Sequence, residues 1–171
     1  QQVLFRFEVL QKILQYNTSV LALMDKIKDP KNYEKNMTEL LNELQEYSNK
    51  LDLGNRVIFK GYTKDVLNCI QKAGIYVSTS NYEGISNSMI ESLAMGIPTI
   101  CTDCPVGGAT MMIKDNENGI LIPVGGESEL IEALEKVASD SNFAKKISEN
   151  SVKIRKEYSL KNIVNIWEKN I

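Results

Sequence analysis

The chain has 171 residues, 43% hydrophobic and 25% charged, with a formal net charge of −2 and no histidine. This is the make-up of one folded domain over residues 1–171 with a buried core. The acidic balance argues against a nucleic-acid partner, no apolar run nears the roughly 20 residues of a membrane span, and the missing histidine removes Ser-His-Asp catalysis, Cys-His catalysis and most zinc sites.

Helix-like and strand-like segments alternate along the chain. Leu4, Phe5, Val9, Leu10, Ile13 and Leu14 recur at helical spacing, which predicts a helix over residues 2–16. After Asn17-Thr18, residues 19–24 read as a short buried strand. A turn at residues 29–32 leads into a helix reaching about Leu51, with Met37, Leu40, Leu41 and Leu44 on one side. Arg56 to Lys60 is the next strand, and Thr63 can cap a helix through Lys72 that turns Val66, Leu67 and Ile70 inward. Strands are predicted at 74–78, 98–101 and 119–123, with a helix at 87–95 ended by Gly96. Helices follow at 127–138, 142–158 and 160–170, the last carrying an apolar face with Ile163, Ile166 and Trp167. The alternation implies an α/β fold, a Rossmann-like parallel sheet with helices on both faces, whose ligand crevice lies beyond the carboxyl ends of the strands.

Cysteine usage adds a little. Cys69, Cys101 and Cys104 are odd in number. Cys101 and Cys104 form a CxxC that reads as a strand end turning into a loop, with a redox pair as the less supported alternative. Free thiols suit a reducing, cytoplasmic compartment.

The stretch from Ser78 to Pro98 carries the most chemistry, running from a strand end through a polar loop into a helix start. Gly84 allows a tight approach of the chain, and Ser86 or Asn87 can cap the helix. First-turn amides lack intrahelical acceptors and, with the helix dipole, suit an anion such as a diphosphate. Glu83 and Glu91 flank this start in an E-x7-E spacing. A carboxylate would repel phosphate but can accept two hydrogen bonds from a vicinal diol, as in ribose. On the residues alone a second reading stands beside this one, with Glu91 on a solvated face and Glu83 an ordinary loop charge.

These residues resemble the signature of the retaining family-4 glycosyltransferases of the GT-B fold. The likeness runs through the E-G at Glu83-Gly84, Glu91 seven residues on, and Ala94-Met-Gly96-Ile-Pro98. Upstream, Asn55-Arg-Val-Ile-Phe-Lys-Gly61-Tyr62 is similar to the family's nucleotide-base segment. Downstream, Cys101 to Gly108 and Asn116 to Val124 are similar to its next two segments. The resemblance implies a C-terminal donor-binding domain, one half of a GT-B fold. It assigns Glu91 to the ribose hydroxyls of a nucleotide-sugar and Glu83, the one candidate catalytic residue, to the donor sugar. Gly84, Ile85, Ser86, Asn87 and Ser88 would offer amides to sugar and diphosphate, and Lys60, Gly61 and Tyr62 would lie beside the base. Tyr62 reads equally as a partly buried strand-end aromatic. The implied donor is a UDP- or GDP-sugar, with no cofactor and no metal.

The resemblance also implies that the chain starts one strand late, without the loop whose Arg and Lys hold donor phosphates. Asp25 stands where the family often has glycine, and Lys26 and Lys28 lie nearby. The acidic residue often found near Met111 is absent, which leaves the loop at Gly107-Gly108 either approaching a ligand or simply turning. The acceptor-binding N-terminal half would be a partner, toward which the helix at 160–170 packs. Peripheral membrane association, at the inner face, would come through that half. The implied reaction transfers a hexosyl unit to a polysaccharide or glycolipid acceptor with retention, the leaving diphosphate taking the acceptor's proton. The fragment by itself is expected to be inactive. Two alternatives stay open: a nucleotide-sugar epimerase of the same fold, and a receiver-like phosphate-binding module with Asp103 as its nearest acidic residue.

Overall fold

A computed structural model describes residues 33–59 and 66–170. The chain groups into two compact units, residues 1–63 and 64–171, each taken by itself below. The helix and strand expected at 2–16 and 19–24, the Thr63 cap, and Lys60, Gly61 and Tyr62 lie outside the described residues.

In the first unit α1 spans Tyr33–Lys50, with Lys50 in the last turn where a cation complements the carbonyl end of the helix. Leu40 is buried, Leu41 and Leu44 are half-buried. The chain then turns through Asp52, at φ 53°, into a 3-10 turn at Gly54–Arg56, and the Arg56 Nε donates to the Leu53 carbonyl at 3.0 Å. The expected strand from Arg56 is not formed over residues 56–59. Arg56 belongs to the turn, and although Val57 is extended (φ −112°, ψ 124°), Ile58 is 73% exposed. Extended backbone becomes a strand only when a neighbour completes the ladder, and no described segment pairs here.

The second unit contains a parallel sheet in the order β1 (Tyr76–Ser78), β2 (Thr99–Asp103), β3 (Ile120–Pro123). Helices join and flank the strands: α2 (Val66–Ile70), α3 (Asn87–Met95), α4 (Gly108–Met112), α5 (Glu127–Ser139), α6 (Ser141–Ser151), α7 (Ile154–Glu157) and α8 (Leu160–Asn170). The central strand reads as a continuous buried run, Thr99, Ile100, Cys101 and Thr102 all inside, as a strand covered on both faces must. The core joins Met89 and Leu93 of α3, Cys101 of β2, Ala109 and Met112 of α4, and Ile154 of α7.

Three regions depart from the sequence reading. The helix α2 ends at Ile70 rather than Lys72, and Leu67 is 52% exposed rather than inward, while Ile70 is buried. Residues 108–112 form a helix where only a loop was expected. The region 142–158 is two helices. Ser151 Oγ donates to the Ser148 carbonyl at 2.8 Å, and i→i−3 bonds from Lys153 and Arg155 tighten the chain there. That bend carries Ile154 into the core at 4% exposure. The CxxC thiols are free. Among the described residues no helix is long and apolar enough to cross a membrane.

Gly96 behaves as expected. At φ 75° it ends α3 by donating its N–H to the Leu93 carbonyl while Ile97 N–H reaches Ser92, both at 3.0 Å, a Schellman closure. Inside, Ser92 and Thr99 hydroxyls meet at 2.9 Å, with the Met89 and Ile97 carbonyls each 2.8 Å away as acceptors. Two hydroxyl protons thus serve helix and strand without leaving a buried polar group unpaired.

Candidate functional site

The loop after β1 and the start of α3 meet the carboxyl end of β2, as a parallel sheet requires of its functional loops. Between them is a shallow cleft of about 250 Å³, bordered by Ser78, Ser80, Glu83, Gly84, Cys101 and Thr102 among others.

Glu83 is exposed, and its Oε2 accepts a hydrogen bond from Ser80 Oγ at 3.2 Å. Ser78 Oγ lies 3.5 Å from Ser80 Oγ, extending a row of hydroxyls from the strand end. Glu91 sits half-buried in the second turn of α3, outside the residues that line the cleft. Of the expected site residues, the fold brings Glu83, Gly84 and Ser86 to this cleft, while Ile85, Asn87, Ser88 and Glu91 lie along the loop and helix beside it.

The expected cap is only half realised. Ser86 occupies the N-cap position with extended backbone (φ −76°, ψ 127°), but its hydroxyl makes no bond to the first-turn amides. It pairs with Ser88 Oγ at 3.0 Å, and Ser88 Oγ is also 2.7 Å from Tyr76 Oη. The side chains tie the helix start to β1, and the first-turn N–H groups keep their free positive ends. Gly84 likewise differs from expectation. A Cβ at Gly84 would meet nothing within 4 Å, whereas one at Gly108 would lie 1.9 Å from the Gly84 carbonyl oxygen. The close approach in this loop is made by Gly108.

Two cysteines line the same cleft. Burial pushes the Cys101 thiol up to about 12, the neighbouring Cys104 adds to the rise, and the Ser78 backbone pulls the other way. At neutral pH this thiol is protonated, which makes it a poor nucleophile. Among the described residues no group of three or more Cys, Asp or Glu is placed to hold a metal.

A wider groove, about 980 Å³, is lined by Lys114, Glu117, Lys146, Asn150, Lys153 and Tyr158 among others, and by none of the expected site residues.

This Rossmann-like parallel sheet with a polar strand-to-helix loop at its carboxyl end is shared with solved glycosyltransferases of the GT-B class. Residues 23–154 match the family described as Glycosyl transferases group 1, and the chain belongs to that family. It is 33% identical over 115 residues to a poly(glycerol-phosphate) alpha-glucosyltransferase of Bacillus subtilis, covering 67% of this chain and 17% of that protein. Among solved structures, Staphylococcus aureus TarM, in complex with fondaparinux, alpha-GlcNAc-glycerol and UDP, is similar at a TM-score of 0.66 and 26% identity, over 75% of this chain and 26% of its own. Anabaena HepE in complex with UDP shares the fold at a TM-score of 0.69 and 21% identity, over 78% of this chain and 36% of its own. The chain therefore spans well under half the length of these proteins.

Proposed function

We propose that this chain is the donor-binding domain of a retaining glycosyltransferase that moves a hexosyl unit from a nucleotide-diphosphate sugar to a polysaccharide or glycolipid acceptor. The observation that carries the reading is the uncapped start of α3 beside Glu83, a set of free amides next to a carboxylate at the carboxyl end of a parallel sheet. Family membership and relatives described with UDP favour it over the epimerase and receiver-like alternatives.

In this reading the amides from Gly84 to Ser88 take the diphosphate and the sugar. Glu91 accepts from the ribose hydroxyls, and Lys60, Gly61 and Tyr62 attend the base. Glu83 holds the donor sugar from the far side of the phosphates. No metal takes part. The departing diphosphate accepts the acceptor's proton on the same face, which fits a chain without histidine. The cleft is one wall of the site, and an N-terminal half of the enzyme forms the other, so the 171-residue chain alone binds nucleotide but transfers nothing. The cytoplasm, at the membrane's inner face, is the corresponding compartment.

Thermal unfolding with UDP, GDP and ADP, against wild type and Glu91→Ala, tests this. A nucleotide at 100 times its dissociation constant adds about 2.7 kcal/mol to the wild type. The shift should be largely lost in Glu91→Ala. No shift with any nucleotide overturns the donor-binding reading, and an equal shift in both proteins overturns the ribose assignment.

A further inference from the structure

Three groups from the segment that follows β2 converge on the loop that follows β1. Thr102 Oγ1, on a side chain only 4% exposed, donates to the Ser80 carbonyl at 2.5 Å. Cys104 Sγ, equally enclosed, lies 4.0 Å from the Glu83 carbonyl as a weak donor. Gly108, the first residue of α4, lies against the Gly84–Ile85 peptide: a Cβ added there would be 1.9 Å from the Gly84 oxygen and 2.7 Å from the Ile85 nitrogen. The turn that seats Gly108 is a costly one, since Val106 at φ 80° and Gly107 at φ 70° are consecutive left-handed residues. A β-branched residue tolerates that conformation only when its surroundings hold it.

The consequence follows from peptide geometry. Among the described residues no peptide bond is cis, and in a trans unit the N–H points opposite to the carbonyl. With the carbonyls of Ser80 and Glu83 held toward the β2–α4 segment, the N–H groups of Asn81 and Gly84 turn the other way, and Gly108 packs on the face of the peptide that carries the Ile85 N–H. None of these three amides has a hydrogen-bond partner among the described residues. The Cβ side of Gly84 is open, with nothing within 4 Å.

We infer that Thr102 and Gly108, helped by Cys104, are positioning residues that clamp the loop so that its amides face the donor. The inference rests on the donor-binding reading above and deepens it, because it names what holds the amides in place. Here a hydroxyl, a thiol and a helix start from one segment fall on residues 80–84.

The test uses the 171-residue chain, with Thr102→Val to remove the hydroxyl at constant shape and Thr102→Ser to keep it. Backbone order parameters at Asn81, Gly84 and Ile85 read the clamp, and a UDP titration reads its effect on binding. In Thr102→Val the order parameters should fall from about 0.85 toward 0.6 or lower while those of α5 stay high. UDP should bind about tenfold more weakly, and Thr102→Ser should restore both readings. A Thr102→Val protein that melts earlier but keeps a rigid loop and its UDP affinity overturns the clamp, leaving Thr102 a purely structural residue. A wild type that takes up no UDP overturns the donor reading instead, and the order parameters then decide the clamp without it.

Discussion

Buried polar side chains in this domain are arranged by what they face more than by what they are. Ser92 and Thr99 share two protons among four acceptors, Thr102 reaches across to another loop, and Cys101 is enclosed where strand and loop meet. Cys101 links that enclosure to pH. Its thiol ionises near the ordinary 9.0 when the chain is unfolded but only at about 12 when folded. Between those values the unfolded chain has lost a proton that the folded chain keeps, so rising pH favours unfolding. The stabilising effect is whole below pH 9 and is lost as pH climbs toward 12. Urea midpoints measured from pH 8 to pH 10.5 should fall in the wild type, with a shallower fall in Cys101→Ala. Parallel slopes for the two proteins would show that Cys101 contributes nothing. The CxxC spacing is legible in the sequence, whereas the burial that keeps the Cys101 thiol protonated comes from the fold.

At the level of elements, α3 shows how a local signal and a tertiary contact combine. Gly96 was readable as a helix stop because glycine alone takes φ 75° without cost, and the structure has it there. What could not be read is the packing outside it. A Cβ at Gly96 would lie 3.1 Å from Val152 Cγ1 and 3.2 Å from Ser148 Oγ, both more than 50 residues away in sequence. Gly125 has nearly the same φ, 74°, and nothing within 4 Å. Gly125→Ala should therefore cost only the left-handed strain, about 1 kcal/mol, while Gly96→Ala should cost roughly 1 kcal/mol more. Denaturant titration of the two variants makes the comparison, and equal losses would mean that α6 yields freely to the added methyl. The same reasoning explains the misread helix at 142–158. Its apolar pattern continues through Val152, but the bend that seats Ile154 depends on a core built from α3, β2 and α4.

For the molecule as a whole, α8 is the element with the most exposed apolar surface. Leu160 is 80% exposed, Ile166 57% and Trp167 69%, a stripe of apolar surface on a helix whose other face is polar. Under the proposed function this stripe packs toward the acceptor-binding half of the enzyme. Trp167 is the single tryptophan of the chain, which makes it a clean reporter. In the 171-residue chain its fluorescence should resemble that of tryptophan in water and be readily quenched by acrylamide. In the longer enzyme carrying the acceptor half, emission should move to shorter wavelength and quenching should weaken. Unchanged emission in the longer protein would mean that α8 stays uncovered.

Local patterning was enough for the class of fold, the three described strands of the second unit, and the order of its motifs along the chain. Periodicity and turn residues act over a few positions, and the strand-loop-helix unit from Tyr76 to Gly96 is built within that range. The inner organisation of the site was not legible in this way. That Gly108 makes the close approach and that Thr102 holds the Ser80 carbonyl both depend on β2 lying beside β1. Pairing of two strands more than 20 residues apart sets which carbonyls are taken and which amides remain free. Hydrogen-bond directions across such a gap belong to the folded chain, because nothing in either segment alone specifies the other's position.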